Sequence, residues 1–211
     1  MLHRAAVLLA RYLGRELDLD CDQQEVIRYG LELVLGDGVK VALLLLVALP
    51  LGLVGEVGGA LVGWMALRVV SGGPHFTTFG RCLMGTLLLF LPAGATAVIL
   101  AASLSVTGLT AVALGAWVLA AVWVYRWAPV EVPERPIGRK VEYSHFKMLS
   151  RGVVLALPAG VLLLMVSGLQ GVSKGMLLAV ILGCLGQAGS LTPAGRRAAG
   201  WLDTALSVLG L

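Results

Sequence analysis

The sequence predicts an all-α integral membrane protein with about six transmembrane helices behind two amphipathic N-terminal helices, read as a single polytopic domain over residues 1–211. Three observations predict it. Of the 211 residues, 58% are hydrophobic and 13% charged, with a mean hydropathy of +0.92, well away from soluble composition. The apolar residues are gathered into runs close to the roughly 20 residues that cross about 30 Å of hydrocarbon, and outside a bilayer such runs have nowhere to be buried. Laid alternately across a membrane, the runs also sort the basic residues to one side.

Residues 1–35 come first and read as amphipathic helices, not as a signal peptide, because acids are interspersed and no small-residue cleavage site follows an apolar core. In MLHRAAVLLARYLGREL, Arg4, Arg11 and Arg15 share one helical face while Leu2, Ala6, Leu9 and Leu13 line another, the pattern of a helix lying on a membrane surface. In DQQEVIRYGLELVLGDG, Ile27, Leu31, Val34 and Leu35 form a stripe and Arg28 is placed to pair with Glu32 at i, i+4. The predicted spans follow at 36–55, 56–71, 83–102, 107–127, 152–168 and 174–191. The second is the shortest, and Gly58, Gly59 and Gly63 on it predict close helix packing. Gln187 and Ser190 in the last predict hydrogen bonds between helices.

With the N-terminus inside, these crossings place every one of the 16 Lys and Arg except Lys174 on the cytoplasmic side, a positive-inside distribution. Both termini are then cytoplasmic. So is the longest polar connection, residues 128–151, with Pro129, Pro133 and Pro136 followed by a basic stretch containing Arg139, Lys140, Lys147 and Arg151 and predicted to form a short helix. That stretch either obeys the charge rule alone or also binds substrate. The net charge of +4 does not signal nucleic acid, because the basic residues form no solvated domain with interleaved stacking aromatics.

Between the second and third spans stands SGGPHFTTFGRC, residues 71–82. Gly72, Gly73, Pro74 and Gly80 oppose continuous helix there. A cysteine nucleophile needs an imidazole within hydrogen-bond reach, yet seven residues on a straight helix rise about 10.5 Å. Only a bent segment can bring His75 to Cys82. Cys82 would then stand near a helix start, beside Arg81, where thiolate is favoured. Cys21 is flanked by acids and Cys184 lies in an apolar span, so both read as inert. On residues alone the pair is either a catalytic dyad or a loop histidine and a membrane cysteine of no chemical role. Two ligands do not complete a zinc site, and no metal or other cofactor is called for.

Arg68 followed by SGGPHFTTFGRC, and the later WAPVEVPERPI, resemble the AgrB family of accessory gene regulator membrane endopeptidases. The first matches that family's Arg, Ser-Gly-Gly-x-His and downstream Cys, the second its Ala-Pro segment and Pro-Ile turn. The resemblance implies that Cys82 is the nucleophile and His75 its acid/base partner, in a bacterial cell membrane, at the cytoplasmic face. It implies cleavage of an AgrD-like propeptide before its charged tail through a Cys82 thioester, then cyclisation to a thiolactone or lactone. A homodimer is a further expectation from the family. An acidic tail would be complemented by Arg68, Arg81, Arg139, Lys140, Lys147 and Arg151, although Arg68 serves equally well as a snorkelling interfacial residue. Ser71, Thr77 and Thr78 are near enough to assist, and none is assigned. The alternative is a transporter exporting a peptide or small solute with the broken segment as a re-entrant gate; it has no P-loop and few ionisable residues in its spans. A redox sensor at Cys82 lacks a nearby resolving cysteine.

Overall fold

The computed structural model describes residues 2–130, 140–167 and 173–210. Among them the chain forms eight helices and no strand: α1 (Leu2–Glu16), α2 (Cys21–Ala48), α3 (Val54–Ser71), α4 (Phe79–Ser103), α5 (Val106–Trp127), α6 (Lys140–Ser167), α7 (Lys174–Leu191) and α8 (Pro193–Val208). The chain divides into two compact units, Met1–Val47 and Ala48–Leu211.

In the first unit α2 starts with a capping box. Asp20 Oδ1 accepts from the Gln23 amide at 2.7 Å and the Asp20 amide donates back to Gln23 Oε1 at 3.1 Å, which satisfies helix-start donors reciprocally. The buried face of α1 is made of small residues, Ala6, Ala10 and Gly14, at the i, i+4 spacing that lets backbones approach. Leu8, Leu9 and Tyr12 stay exposed. Arg28 pairs with Glu32 at 2.6 Å as its spacing predicts, and also with Glu25; His3 joins Glu32 from α1.

Five helices, α3 to α7, are long and apolar enough to cross a membrane. They account for five of the expected spans. The remaining one, 36–55, is divided: its first part is the end of α2, and the helix stops at Ala48 ahead of a turn with Gly52 at φ 66°. Asp37 and Lys40, paired at 2.6 Å, interrupt that apolar run, and Pro50 follows the helix end, as a residue that cannot continue it. The basic stretch expected to form its own short helix instead opens α6. At 28 residues, or about 42 Å of rise, α6 exceeds the hydrocarbon thickness, so its first turns project beyond it.

Helix α7 is the centre of the second unit, packed against α3, α4, α5, α6 and α8. It is apolar on all sides, KGMLLAVILGCLGQAGSL, and such a helix is stable only when surrounded. Accordingly 61% of it is buried, against 17–33% for the other four spans. Glycines set how closely it lies to α3. A Cβ on Gly63 would fall on the Val180 carbonyl and one on Gly183 on the Ala60 carbonyl, and Gly59 faces Met176. Gly58 has open space instead, so the close packing expected of these glycines holds at Gly59 and Gly63 only. The Cys184 thiol donates to the Gly63 carbonyl at 3.2 Å across the same crossing. Trp64 meets Phe90 edge-on between α3 and α4, and Trp117 Nε1 donates to the Val154 carbonyl between α5 and α6.

Candidate functional site

The segment expected to break the helix does so. Helix α3 ends at Ser71, and the chain leaves it through Gly72 at φ 69° and Gly73 at φ 129°, angles that L side chains rarely adopt. Gly80 takes no part in the break and lies in the first turn of α4.

Side chains from three helices hold this exit. From α3 itself, Arg68 Nη2 donates to the Pro74 carbonyl at 2.6 Å. From α7, Gln187 Nε2 donates to Ser71 Oγ at 3.0 Å and to the Gly72 carbonyl at 2.8 Å. From α6, Ser150 Oγ shares its proton between the Val70 carbonyl at 2.9 Å and the Phe146 carbonyl of its own helix at 2.8 Å. The connection after α5 adds a backbone bond: the Val130 amide donates to the Ser71 carbonyl at 2.9 Å, and Gly72 and Val130 form a parallel bridge. The SGG motif and the Ala-Pro motif, whose Ala128–Pro129 bond is cis, are therefore neighbours in space. Gln187 makes the interhelical bonds its position predicts. Ser190 does not: its hydroxyl donates to Gln187 within α7, the local alternative open to any helical serine.

Helix α4 begins cleanly. Thr78 is its N-cap, with Oγ1 accepting from the Arg81 amide at 3.3 Å, and the Cys82 amide donates to the Thr78 carbonyl at 3.0 Å. Cys82 is thus in the first turn, half-buried, where the helix dipole favours negative charge. Phe76 folds back over Gly85, where a Cβ would press on its ring. Gly85 shares a face with Cys82 at i, i+3, so the fold-back draws the His75–Phe76 segment toward the face of α4 that carries the thiol. His75 is exposed.

The other expected residues are distributed as follows. Arg81 Nη1 donates to Thr77 Oγ1 at 2.6 Å and stands 3.4 Å from Asp203 Oδ2 on α8. Asp203 also receives the Thr77 amide at 3.1 Å and the Thr77 hydroxyl at 3.0 Å. The Thr77 amide first, with the Thr77 hydroxyl and Arg81, holds the Asp203 carboxyl below its usual range despite partial desolvation. Arg151 lies over the Tyr125 ring at 4.6 Å, a cation–π contact. Lys147 is half-buried on α6. Arg139 lies outside the described residues, and so does the side chain of Lys140. Arg68, Arg81, Arg126, Lys147, Arg151, Arg196 and Arg197 belong to the helix ends next to this loop, whereas Lys174 is at the opposite ends, beside Ser173, whose hydroxyl bonds Glu56.

Helix α8 and Asp203 were not foreseen from sequence. The signal was there: Thr192 followed by Pro193 is a cap with proline at the first helical position, and Asp203 is the only acid after Glu142. Ser71, Thr77 and Thr78 all have structural partners.

No curated protein and no solved structure matches the chain significantly. The family model for accessory gene regulator B matches residues 6–191, a stretch holding the glycine break, His75, Cys82, the Ala-Pro segment and Gln187, and the chain belongs to the AgrB family, whose members take part in processing the accessory gene regulator's quorum-sensing propeptide.

Proposed function

We propose that the chain is a membrane-embedded cysteine endopeptidase that removes the C-terminal tail of an AgrD-like propeptide and promotes its cyclisation. The observation that carries this reading is the placement of Cys82 in the first turn of α4, directly after a braced, non-helical segment that contains His75. The Cys82 thiolate attacks the scissile carbonyl, and the C–N bond breaks as His75 gives its proton to the departing amine of the tail. The peptide is left as a thioester on Cys82. A thiol or hydroxyl within the peptide then attacks the same carbonyl, passes its proton to His75 and returns the Cys82 thiolate. Exchange with an internal thiol conserves acyl activation, whereas water discards it, so a site bordered by lipid favours the ring. Intact-mass analysis of the protein mixed with its propeptide shows a hydroxylamine-labile adduct on Cys82; an adduct on another residue, or cleavage with none, removes the covalent mechanism.

In this reading Arg68, Arg81, Arg139, Lys140, Lys147 and Arg151 provide a basic border for an acidic tail. Exposed pairs contribute only about 0–1 kcal/mol each, so the effect is collective. Changing Arg139, Lys140 and Lys147 together to Glu weakens propeptide binding at low salt, and the difference narrows at high salt because screening already suppresses the wild-type attraction. Unchanged binding at low salt would take these residues out of the site.

The same concentration of basic side chains near the loop supports a position for it on the cytoplasmic face of a bacterial membrane. Thiols introduced near Glu56, Ser105 and Lys174 react with an impermeant reagent added outside the cell, and thiols near Gly138 and Arg197 do not. The reverse pattern overturns the orientation.

A further inference from the structure

We infer that Asp203, on the C-terminal helix α8, is a positioning residue for the reaction, clasping Thr77 and Arg81 so that the segment between His75 and Cys82 keeps one conformation. The inference rests on the peptidase reading above and adds to it a part of the chain, residues 193–208, that lies beyond the family match.

The clasp is closed and chemically balanced. Asp203 offers only acceptors, and it takes the Thr77 amide at 3.1 Å, the Thr77 hydroxyl at 3.0 Å and Arg81 Nη1 at 3.4 Å. The hydroxyl has one proton to give and lone pairs to receive, and it accepts Arg81 Nη1 at 2.6 Å. The Arg81 and Asp203 side chains are 19% and 17% exposed, so water has limited access to compete. Charge-assisted bonds of this kind are stronger than neutral ones.

Its position gives it consequence. Upstream, the Pro74 carbonyl is held by Arg68. Downstream, the Thr77 amide is held by Asp203. His75 and Phe76 are the residues between those two fixed points, and Cys82 begins one residue after Arg81. Thr78 caps the helix but belongs to the same segment; Asp203 ties that segment to α8. Leu206, one turn further along α8, is buried, which seats the helix carrying the carboxylate. Loss of the clasp frees the histidine side of the dyad without removing a reacting group, and misplacement of about 1 Å costs rates of the order of 10²-fold.

The test uses the whole chain in membranes, with a coexpressed AgrD-like propeptide. Asp203→Ala lowers kcat about 10- to 100-fold with KM changed less than about threefold. The active fraction is measured by iodoacetamide titration of Cys82 in a background where Cys21 is Ser and Cys184 is Ala. Asp203→Asn still accepts the Thr77 amide and recovers kcat to within about fivefold, a rescue that simple destabilisation does not predict. Thr77→Val lowers kcat on its own and adds nothing to Asp203→Ala, since both break one clasp; this variant carries the test if Asp203→Ala fails to insert. Wild-type kcat in both Asp203→Ala and Thr77→Val, fully multiplicative losses, or a rise in KM at constant kcat each overturns the assignment. Cys82→Ala is assayed in parallel: its inactivity beside normal Asp203 variants sinks the positioning role alone, whereas normal cleavage by Cys82→Ala sinks the peptidase reading as well.

Discussion

Replacing Cys82 by alanine abolishes propeptide cleavage while the protein still inserts and accumulates in the membrane. A nucleophile that forms the covalent intermediate has no substitute in the site, so the expected loss is at least about 10³-fold. His75→Ala removes a proton donor and acceptor, and the loss lies in the range of about 10² to 10⁴-fold. Insertion is unaffected because neither side chain sets the hydropathy of the apolar runs, and both sit outside the α3–α7 crossing. Cys21→Ala and Cys184→Ala retain activity. Cys184 gives up only its thiol bond to the Gly63 carbonyl, which touches stability, not chemistry. Coexpression with the propeptide and measurement of the released tail checks all four variants. Full processing by Cys82→Ala would leave a transporter as the better reading, since export has no need of that thiol.

Gly63→Ala and Gly183→Ala sharply reduce the thermal stability of the detergent-solubilised protein. In each the new methyl meets a backbone carbonyl on the facing helix, Val180 for one and Ala60 for the other. Backbone cannot rotate aside as a flexible side chain does, so α3 and α7 must separate along their length. Overpacking of this sort costs about 1–3 kcal/mol, occasionally more, and α7 is the helix against which the rest of the second unit packs. Gly58→Ala, also on α3 but facing open space, is the control and melts as wild type or slightly above it, because alanine is the better helix former. A Gly63→Ala protein as stable as Gly58→Ala would mean that the two helices do not cross as described.

How far these features could be read from sequence depended on the distance over which they are encoded. Hydropathy is a sum over neighbouring residues, and it located α3 to α7. It failed at 36–55, where leucines on both sides of Pro50 made one run out of a helix end, a turn and a helix start, while Asp37 and Lys40 were absorbed into the average. Glycine and proline act on their own φ angles, so the break after Ser71 and the helix start before Cys82 were both legible. The partners that brace the break were not. Gln187 reaches Ser71, Val130 reaches Gly72 and Asp203 reaches Thr77 across separations that leave no periodic trace. Charge counting likewise identified Arg68 and Arg81 as cations at the right end of the bundle but could not say that one holds the Pro74 carbonyl and the other Thr77 and Asp203.

The Gln187 side chain has an evolutionary consequence. Its amide is fully buried, and the groups it serves, Ser71 Oγ and the Gly72 carbonyl, belong to the loop. An apolar residue at 187 would orphan both, at about 1–3 kcal/mol for each buried group left unsatisfied, and a shortened or shifted loop would orphan the amide instead. Neither change is tolerable alone. A lineage that abandons one must abandon the other in nearly the same step, so positions 71, 72 and 187 behave as a single inherited character, and a substitution catalogue of the family, sorted by whether position 187 can donate a hydrogen bond, should also sort by the residue at 71.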